Sequence, residues 1–436
     1  MAQDLKFNDF FINLMLLLYQ KVFKREISPN VRKFFENLTK VSIASLLAVV
    51  LTFSFNVLAG RFAGPEEYGY YQVLMAIVAI ISIPMTLGLA TSLLNYNSQE
   101  ISKEKNSAIM SHIYILILIY TLIATSIYLI FLNSFSSLFH VPSYLFFLAI
   151  IFAIIFTFYA IMNNTLTSLH EMGKYASYQV LIGFIMVFGL LVLFYFGRFS
   201  FTSMVVSISI AYSTLIILVL IRYYRYIKFK LKKDLTKKLV KYGLYSAVGG
   251  VACALYGGVD LLFINYFINA SSAGIYSVYK YASLGLGGML FAIFNTVFFP
   301  SVTRIQNKRK VLKDINAVLP YIFLLGVPLA FVAEFVILKI YGNSYPFDVG
   351  LALLFSVLFF LIITNNIYVW LMSAVGVNGA KISSFSAVLL AIFNIILNWF
   401  LIPALGLFGG VISLIISYIV AISFLYLKRD IYVDKK

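Results

Sequence analysis

The chain has 436 residues, of which 62% are hydrophobic and 11% charged, with a mean hydropathy of +0.96. A soluble domain is about 25% charged, so this balance leaves too few polar side chains to coat a water-facing surface, and soluble folds are excluded. The net charge of +17 would suit a nucleic-acid binder only if Lys and Arg clustered on a soluble face. Here they fill short gaps between apolar runs, which is the positive-inside pattern of a membrane protein.

The first segment is short of a crossing. Phe10 to Tyr19 is a largely apolar run bracketed by Asp9 and Lys21, too short to span a bilayer and without the small-residue cleavage site of a secretory signal. Residues 1–37 are therefore expected to form an interfacial amphipathic segment.

Apolar runs long enough for membrane helices follow near 38–60, 68–94, 108–131, 144–168, 176–197 and 201–222. A second set lies near 242–267, 273–300, 316–341, 348–375, 382–403 and 405–427. They are rich in Leu, Ile, Phe and Val and do not alternate like barrel strands, so the expected fold is an all-α polytopic membrane protein of about 12 transmembrane helices. The segments at 1–40, 95–107, 169–175, 222–241, 301–315, 376–381 and 428–436 hold 29 of the 33 basic residues. These segments all fall on one side of the layout, which predicts a multi-pass protein of the cell membrane with both termini cytoplasmic.

The longest basic break divides the spans into six and six. It carries nine Lys and Arg from Arg222 to Lys241 against one acid, Asp234, and reads as a solvated linker lying against anionic headgroups. The expected organisation is a six-helix lobe at 38–222, a basic cytoplasmic linker at 223–241, a second six-helix lobe at 242–427 and a cytoplasmic tail at 428–436. Gly69, Tyr71 and Val73 match Gly274, Tyr276 and Val278 at a constant offset of 205, and Lys174 and Ser177 match Lys381 and Ser384 at 207. Equivalent placement in both halves predicts an internal repeat. An even number of spans per half makes the repeats parallel, related by an axis along the membrane normal.

Three stretches resemble a known family. Gly60-Arg61-Phe62-Ala63-Gly64-Pro65-Glu66-Glu67-Tyr68-Gly69 resembles the first external turn of polysaccharide flippases of the multidrug/oligosaccharidyl-lipid/polysaccharide exporter superfamily. Ile340-Tyr341-Gly342-Asn343-Ser344-Tyr345 is similar to the turn after their ninth helix, and Asn394, Asn398, Pro403, Gly406, Gly409 and Gly410 to their last two helices. The similarity runs from about Lys40 onward; the segment ahead of it departs from the family pattern. The resemblance implies a transporter that moves a lipid-linked oligosaccharide, on a polyprenyl diphosphate, from the inner to the outer leaflet by alternating access. It implies two lobes rocking around a cationic cavity, with glycan-assembly enzymes as partners.

Ionisable residues inside the spans are few, and each is costly at mid-bilayer, about 2.5–3.5 kcal/mol on insertion scales. Asp260 and Lys280 flank the turn near Asn269 to Ser271 at equal sequence distance, so both lie roughly 15 Å below the same surface at 1.5 Å per residue. Equal depth on adjacent antiparallel helices permits a salt bridge. The pair either only neutralises itself and orients two helices, or Lys280 receives the substrate diphosphate while Asp260 serves as counterion or cation site. Arg61 is a candidate for the external mouth, with snorkelling to headgroups as the alternative. Asn56 sits one residue from the repeat equivalent of Asp260 and is a candidate sugar ligand, or else a bond to a neighbouring helix. Glu334, in the outer part of the ninth span, is a candidate for a coupling cation.

Other chemistries lack their parts. Gly173-Lys174-Tyr175 has neither the upstream glycine nor the hydroxyl of a nucleotide-binding loop, and the external connections are too short for a catalytic domain, so no enzyme is expected. The single cysteine, Cys253, allows no intramolecular disulfide, and no two His lie at ligand spacing, so no metal is expected. No cofactor is expected beyond a coupling Na+ or H+. The competing function is a cation-coupled antiporter for drugs or organic cations, of the related extrusion type. Charge separates the two: a cavity keyed by Lys280 suits an anion, one dominated by Asp260 and Glu334 a cation.

Overall fold

The computed structural model describes residues 29–100, 102–227, 232–285 and 308–429. Within them lie thirteen α-helices and no strand. They are α1 Pro29–Thr86, α2 Leu89–Ser98, α3 Lys103–Ile130, α4 Leu132–Leu138, α5 Ser143–Ser168, α6 Met172–Tyr195 and α7 Phe201–Tyr223. The second half contains α8 Lys233–Phe267, α9 Ala270–Lys280, α10 Lys308–Tyr341, α11 Val349–Ser373, α12 Val377–Leu405 and α13 Leu407–Leu427.

Ten helices are long and apolar enough to cross a membrane among the described residues. The first of these covers two expected spans. The connection over 61–67, expected as a turn holding Glu66 and Glu67, is instead helical on both sides of a bend at Gly64 (φ 83°, ψ 174°). The physical reason is local: glycine reaches a left-handed φ without a Cβ clash, and Pro65 can start the next helical limb because its missing N–H has no partner there anyway. The second limb also ends earlier than the expected 94, at Thr86, where Leu87 and Gly88 both take positive φ before α2 resumes.

Helices extend past the apolar cores at the basic face. Residues 29–37, expected within the interfacial segment, run directly into the first span, and residues 233–241 of the expected linker form the first turns of α8. The expected interfacial run at Phe10 to Tyr19, the span beyond Gly285, the basic loop at 301–307 and most of the C-terminal tail lie outside the described residues.

In the first half, α1 packs on α3, α5, α6 and α7; in the second, α11 packs on α10, α12 and α13, while α12 also packs on α8. The halves meet through α1 against α8, α9 and α10, and through α2 against α8. Large apolar side chains such as Leu122, Phe188, Leu220, Leu324 and Leu329 stand on the outer surface, where hydrocarbon is the compatible solvent. The protein is a multi-pass membrane protein.

Candidate functional site

The two halves touch most closely where α9 crosses the second limb of α1. A Cβ on Gly69 would stand 1.8 Å from the Ala270 carbonyl oxygen, and one on Gly274 would stand 1.9 Å from that of Pro65. Gly69 and Gly274 are repeat equivalents, and so are Pro65 and Ala270, at the same offset of 205. The contact is therefore its own mirror under a local two-fold axis. Only glycine lets two backbones approach this far.

One helical layer deeper the same symmetry is broken. A Cβ on Gly258 would lie 2.9 Å from Ala76 Cβ, whereas the equivalent pair, Phe53 and Tyr281, meets as stacked rings with centroids 6.2 Å apart and planes at 19°. The α8–α1 seam is tight there. The α1–α9 seam is wedged by aromatic rings.

Beside this wedge the structure brings Lys280 and Asp260 together. Lys280 Nζ donates to Asp260 Oδ1 at 2.7 Å, to Oδ2 at 2.8 Å and to the Gly257 carbonyl at 2.8 Å. All three ammonium donors are used. Asp260 is fully buried and Lys280 is 8% exposed. Lys280 closes α9, and the chain continues as a π-helical turn over Tyr281–Gly285, a feature that commonly marks functional sites. At the 205 offset the pair is replaced by Phe55 and Met75, so the first half carries no counterpart.

Asn56 lies three residues beyond Phe53 on α1 and is buried. Its Nδ2 donates to the Thr52 carbonyl at 2.9 Å and its Oδ1 accepts from Tyr68 OH at 3.0 Å, with no hydrogen bond to the Lys280 pair. It belongs instead to a tyrosine network at the helix ends remote from the basic segments. Tyr68 and Tyr341 hydroxyls are 3.4 Å apart, and Tyr345 OH donates to the Gly60 carbonyl at 3.0 Å. Arg61, exposed, donates through Nη1 to the Ile340 carbonyl at 2.9 Å, satisfying an orphan acceptor in the last turn of α10. Arg61 and Asn56 thus both touch the latch between the halves, and among the described residues neither hydrogen-bonds Lys280.

Glu334 is separate from both. It is fully buried in α10, and neither carboxyl oxygen has a hydrogen-bond partner among the described residues. Asn394 and Asn398, one turn apart on α12, are also fully buried with both amide ends unpartnered. Among the described residues they make no interhelical amide bond.

Sequence reasoning missed Tyr68, Tyr341 and Tyr345 as parts of the latch, and the Gly257 carbonyl as a third ligand of Lys280. The tyrosines stand inside the two turn motifs, which is the signal that could have found them. The carbonyl leaves no trace in side-chain identity.

Residues 34–306 match the family model described as polysaccharide biosynthesis protein. The chain belongs to that family, the polysaccharide flippases of the exporter superfamily. No curated protein matches the chain. Among solved structures it is similar to the lipid II flippase MurJ in an inward closed conformation, with a TM-score of 0.67 at 15% identity, covering 89% of this chain and 87% of that one. An inward-facing multidrug resistance MATE family transporter of the MOP superfamily gives 0.64 at 15% identity, with 90% and 97% covered. A MOP superfamily transporter from Pyrococcus furiosus gives 0.57 at 13%, with 91% and 96% covered. At these identities the shared property is the fold, an all-helical membrane bundle.

Proposed function

We propose that this protein flips a lipid-linked oligosaccharide, carried on a polyprenyl diphosphate, from the inner to the outer leaflet by alternating access. The observation that carries the reading is Lys280: a buried cation inside a membrane bundle, at the seam between the halves, held by a carboxylate that an anion can displace. A diphosphate brings several negative charges into a low-dielectric interior and so competes with Asp260 for the ammonium. Exchange of one anion for the other leaves Asp260 uncompensated, and a Na+ or H+ taken up there restores neutrality. That links substrate binding to a coupling ion.

With the basic segments in the cytoplasm, the Gly69–Gly274 crossing and the tyrosine latch form the outer closure. Asn56 and Arg61 then act at the exit. Arg61 spends one N–H on the Ile340 carbonyl, and its remaining guanidinium donors are available to a departing diphosphate at the latch.

A second reading, an antiporter for organic cations, draws support from Glu334, a buried carboxyl without a basic partner among the described residues. Gene deletion with leaflet-resolved analysis of lipid-linked sugars separates the two. Flippase function predicts accumulation of the lipid-linked sugar on the cytoplasmic leaflet; an unchanged distribution with altered drug resistance favours the antiporter. Lys280→Ala should reproduce the deletion, and Lys237→Ala, exposed on α8, should not. Lys238 is the poorer control, because its ammonium lies 4.6 Å from the Tyr96 ring centroid and bridges α2 and α8.

A further inference from the structure

Tyr276 precedes Lys280 by one turn of α9, on the same helix face, and is fully buried. Its hydroxyl has no hydrogen-bond partner among the described residues. A buried phenol usually finds one, so its position calls for a reason. Three helices of the second half surround it. The ring meets Phe355 of α11 edge to face, with centroids 5.2 Å apart and planes at 65°. Gly410 of α13 leaves it room, since a Cβ there would stand 3.2 Å from the hydroxyl oxygen. The charged neighbour is the Asp260 carboxylate of α8, beside the hydroxyl but not in a formed hydrogen bond with it.

The internal repeat explains why a tyrosine stands there. At the offset of 205, Tyr276 corresponds to Tyr71 and Asp260 to Phe55, and Tyr71 meets Phe55 ring to ring, with centroids 6.3 Å apart and planes at 71°. The fold supplies the tyrosine in both halves; only in the second does a carboxylate replace the ring it faces. That carboxylate accepts from Lys280 through both oxygens and from the Leu261 amide through Oδ1 at 3.0 Å. Once the ammonium leaves, the amide alone remains, and a buried carboxylate with one donor is short of partners. An unengaged donor already lies beside it. We propose that Tyr276 is a positioning residue for anion exchange at Lys280, its hydroxyl becoming the donor to Asp260 when an anion draws the ammonium away. The proposal rests on the flippase reading for the identity of that anion, the substrate diphosphate.

The test begins with thermal midpoints of the full chain in detergent: the parent, Tyr276→Phe, Lys280→Met and the two combined. With Lys280 present the hydroxyl bonds nothing, so Tyr276→Phe should move the midpoint by no more than about 1 °C. In the Lys280→Met background it should lower the midpoint by about 3 °C, because the stranded carboxylate loses its donor. Tyr71→Phe, with no carboxylate to serve, should act alike in both backgrounds. In proteoliposomes, Tyr276→Phe should raise the half-saturating concentration of lipid-linked oligosaccharide about 10-fold and keep the maximal rate, since the bond is present in the bound and the translocating complex alike. A packing defect would lower the maximal rate instead. Equal effects of Tyr276→Phe in both backgrounds, or an unchanged half-saturating concentration, overturn the proposal, and the second measurement stands even if Lys280→Met does not fold. A parent that moves no such lipid defeats the flippase reading, and the stability cycle then decides the role of Tyr276 by itself.

Discussion

Gly69 and Gly274 face each other across a local two-fold axis, each backbone so close to the other helix that a single methyl group cannot be inserted at either position. At these two positions the halves meet backbone to backbone. Gly69→Ala and Gly274→Ala should each force the helices apart at a cost of about 1–3 kcal/mol. Disulfide trapping between cysteines at Pro65 and Ala270 reads the change: efficient in the parent, reduced in either alanine variant. Equal trapping in the parent and both variants would show that the crossing accommodates a methyl group and is not held at backbone contact.

The latch beside this crossing is held by polar bonds of ordinary strength. Tyr345→Phe deletes the bond to the Gly60 carbonyl and should cost about 1 kcal/mol, and Arg61→Ala removes the cap on Ile340 to a similar degree. Both variants should raise the labelling rate of a cysteine placed at Tyr68 by a small water-soluble maleimide. No increase in either would place the closure elsewhere.

Glu171, at the start of α6 and outside the spans, supplies a pH test on the opposite face. Burial pushes its carboxyl up, but hydrogen bonds from Lys174 at 2.6 Å and from Tyr223, with the charge of Arg222 at 3.6 Å, outweigh that and hold it below the ordinary carboxylate range. A lowered folded-state value means the stabilisation is complete above the ordinary value, near 4.5, and is lost as pH falls through the folded one. Thermal midpoints in detergent should therefore decline below about pH 4.5 less steeply in Glu171→Gln than in the parent. Parallel curves would contradict the assignment.

The sequence made the bundle legible because membrane helices need only long apolar runs, and the basic gaps between them stand out. Asp260 and Lys280 could be paired in advance since a short turn fixes equal depth on both sides of Asn269. Tyr345 and Gly60 could not, being 285 positions apart on a loop and a helix whose adjacency no local pattern encodes. Gly69 and Gly274 were visible as a repeat, yet a repeat says which positions correspond and not that they touch. Gly64-Pro65 was readable as a break but not as a bend, because the same dipeptide serves both, and the neighbouring helices decide between them. The isolation of Asn394 and Asn398 likewise depends on what α8 and α13 present to α12.

The buried pair offers the most direct measurement. Removing one partner alone, Asp260→Asn or Lys280→Met, should destabilise the fold by about 3–5 kcal/mol by stranding a charge, whereas the double variant should recover most of that loss. Reconstituted in proteoliposomes with a lipid-linked oligosaccharide, the double variant should fold with a thermal midpoint near the parent's and yet fail to deliver substrate to the far leaflet. Transport at the parental rate by that stable, uncharged variant would contradict the account.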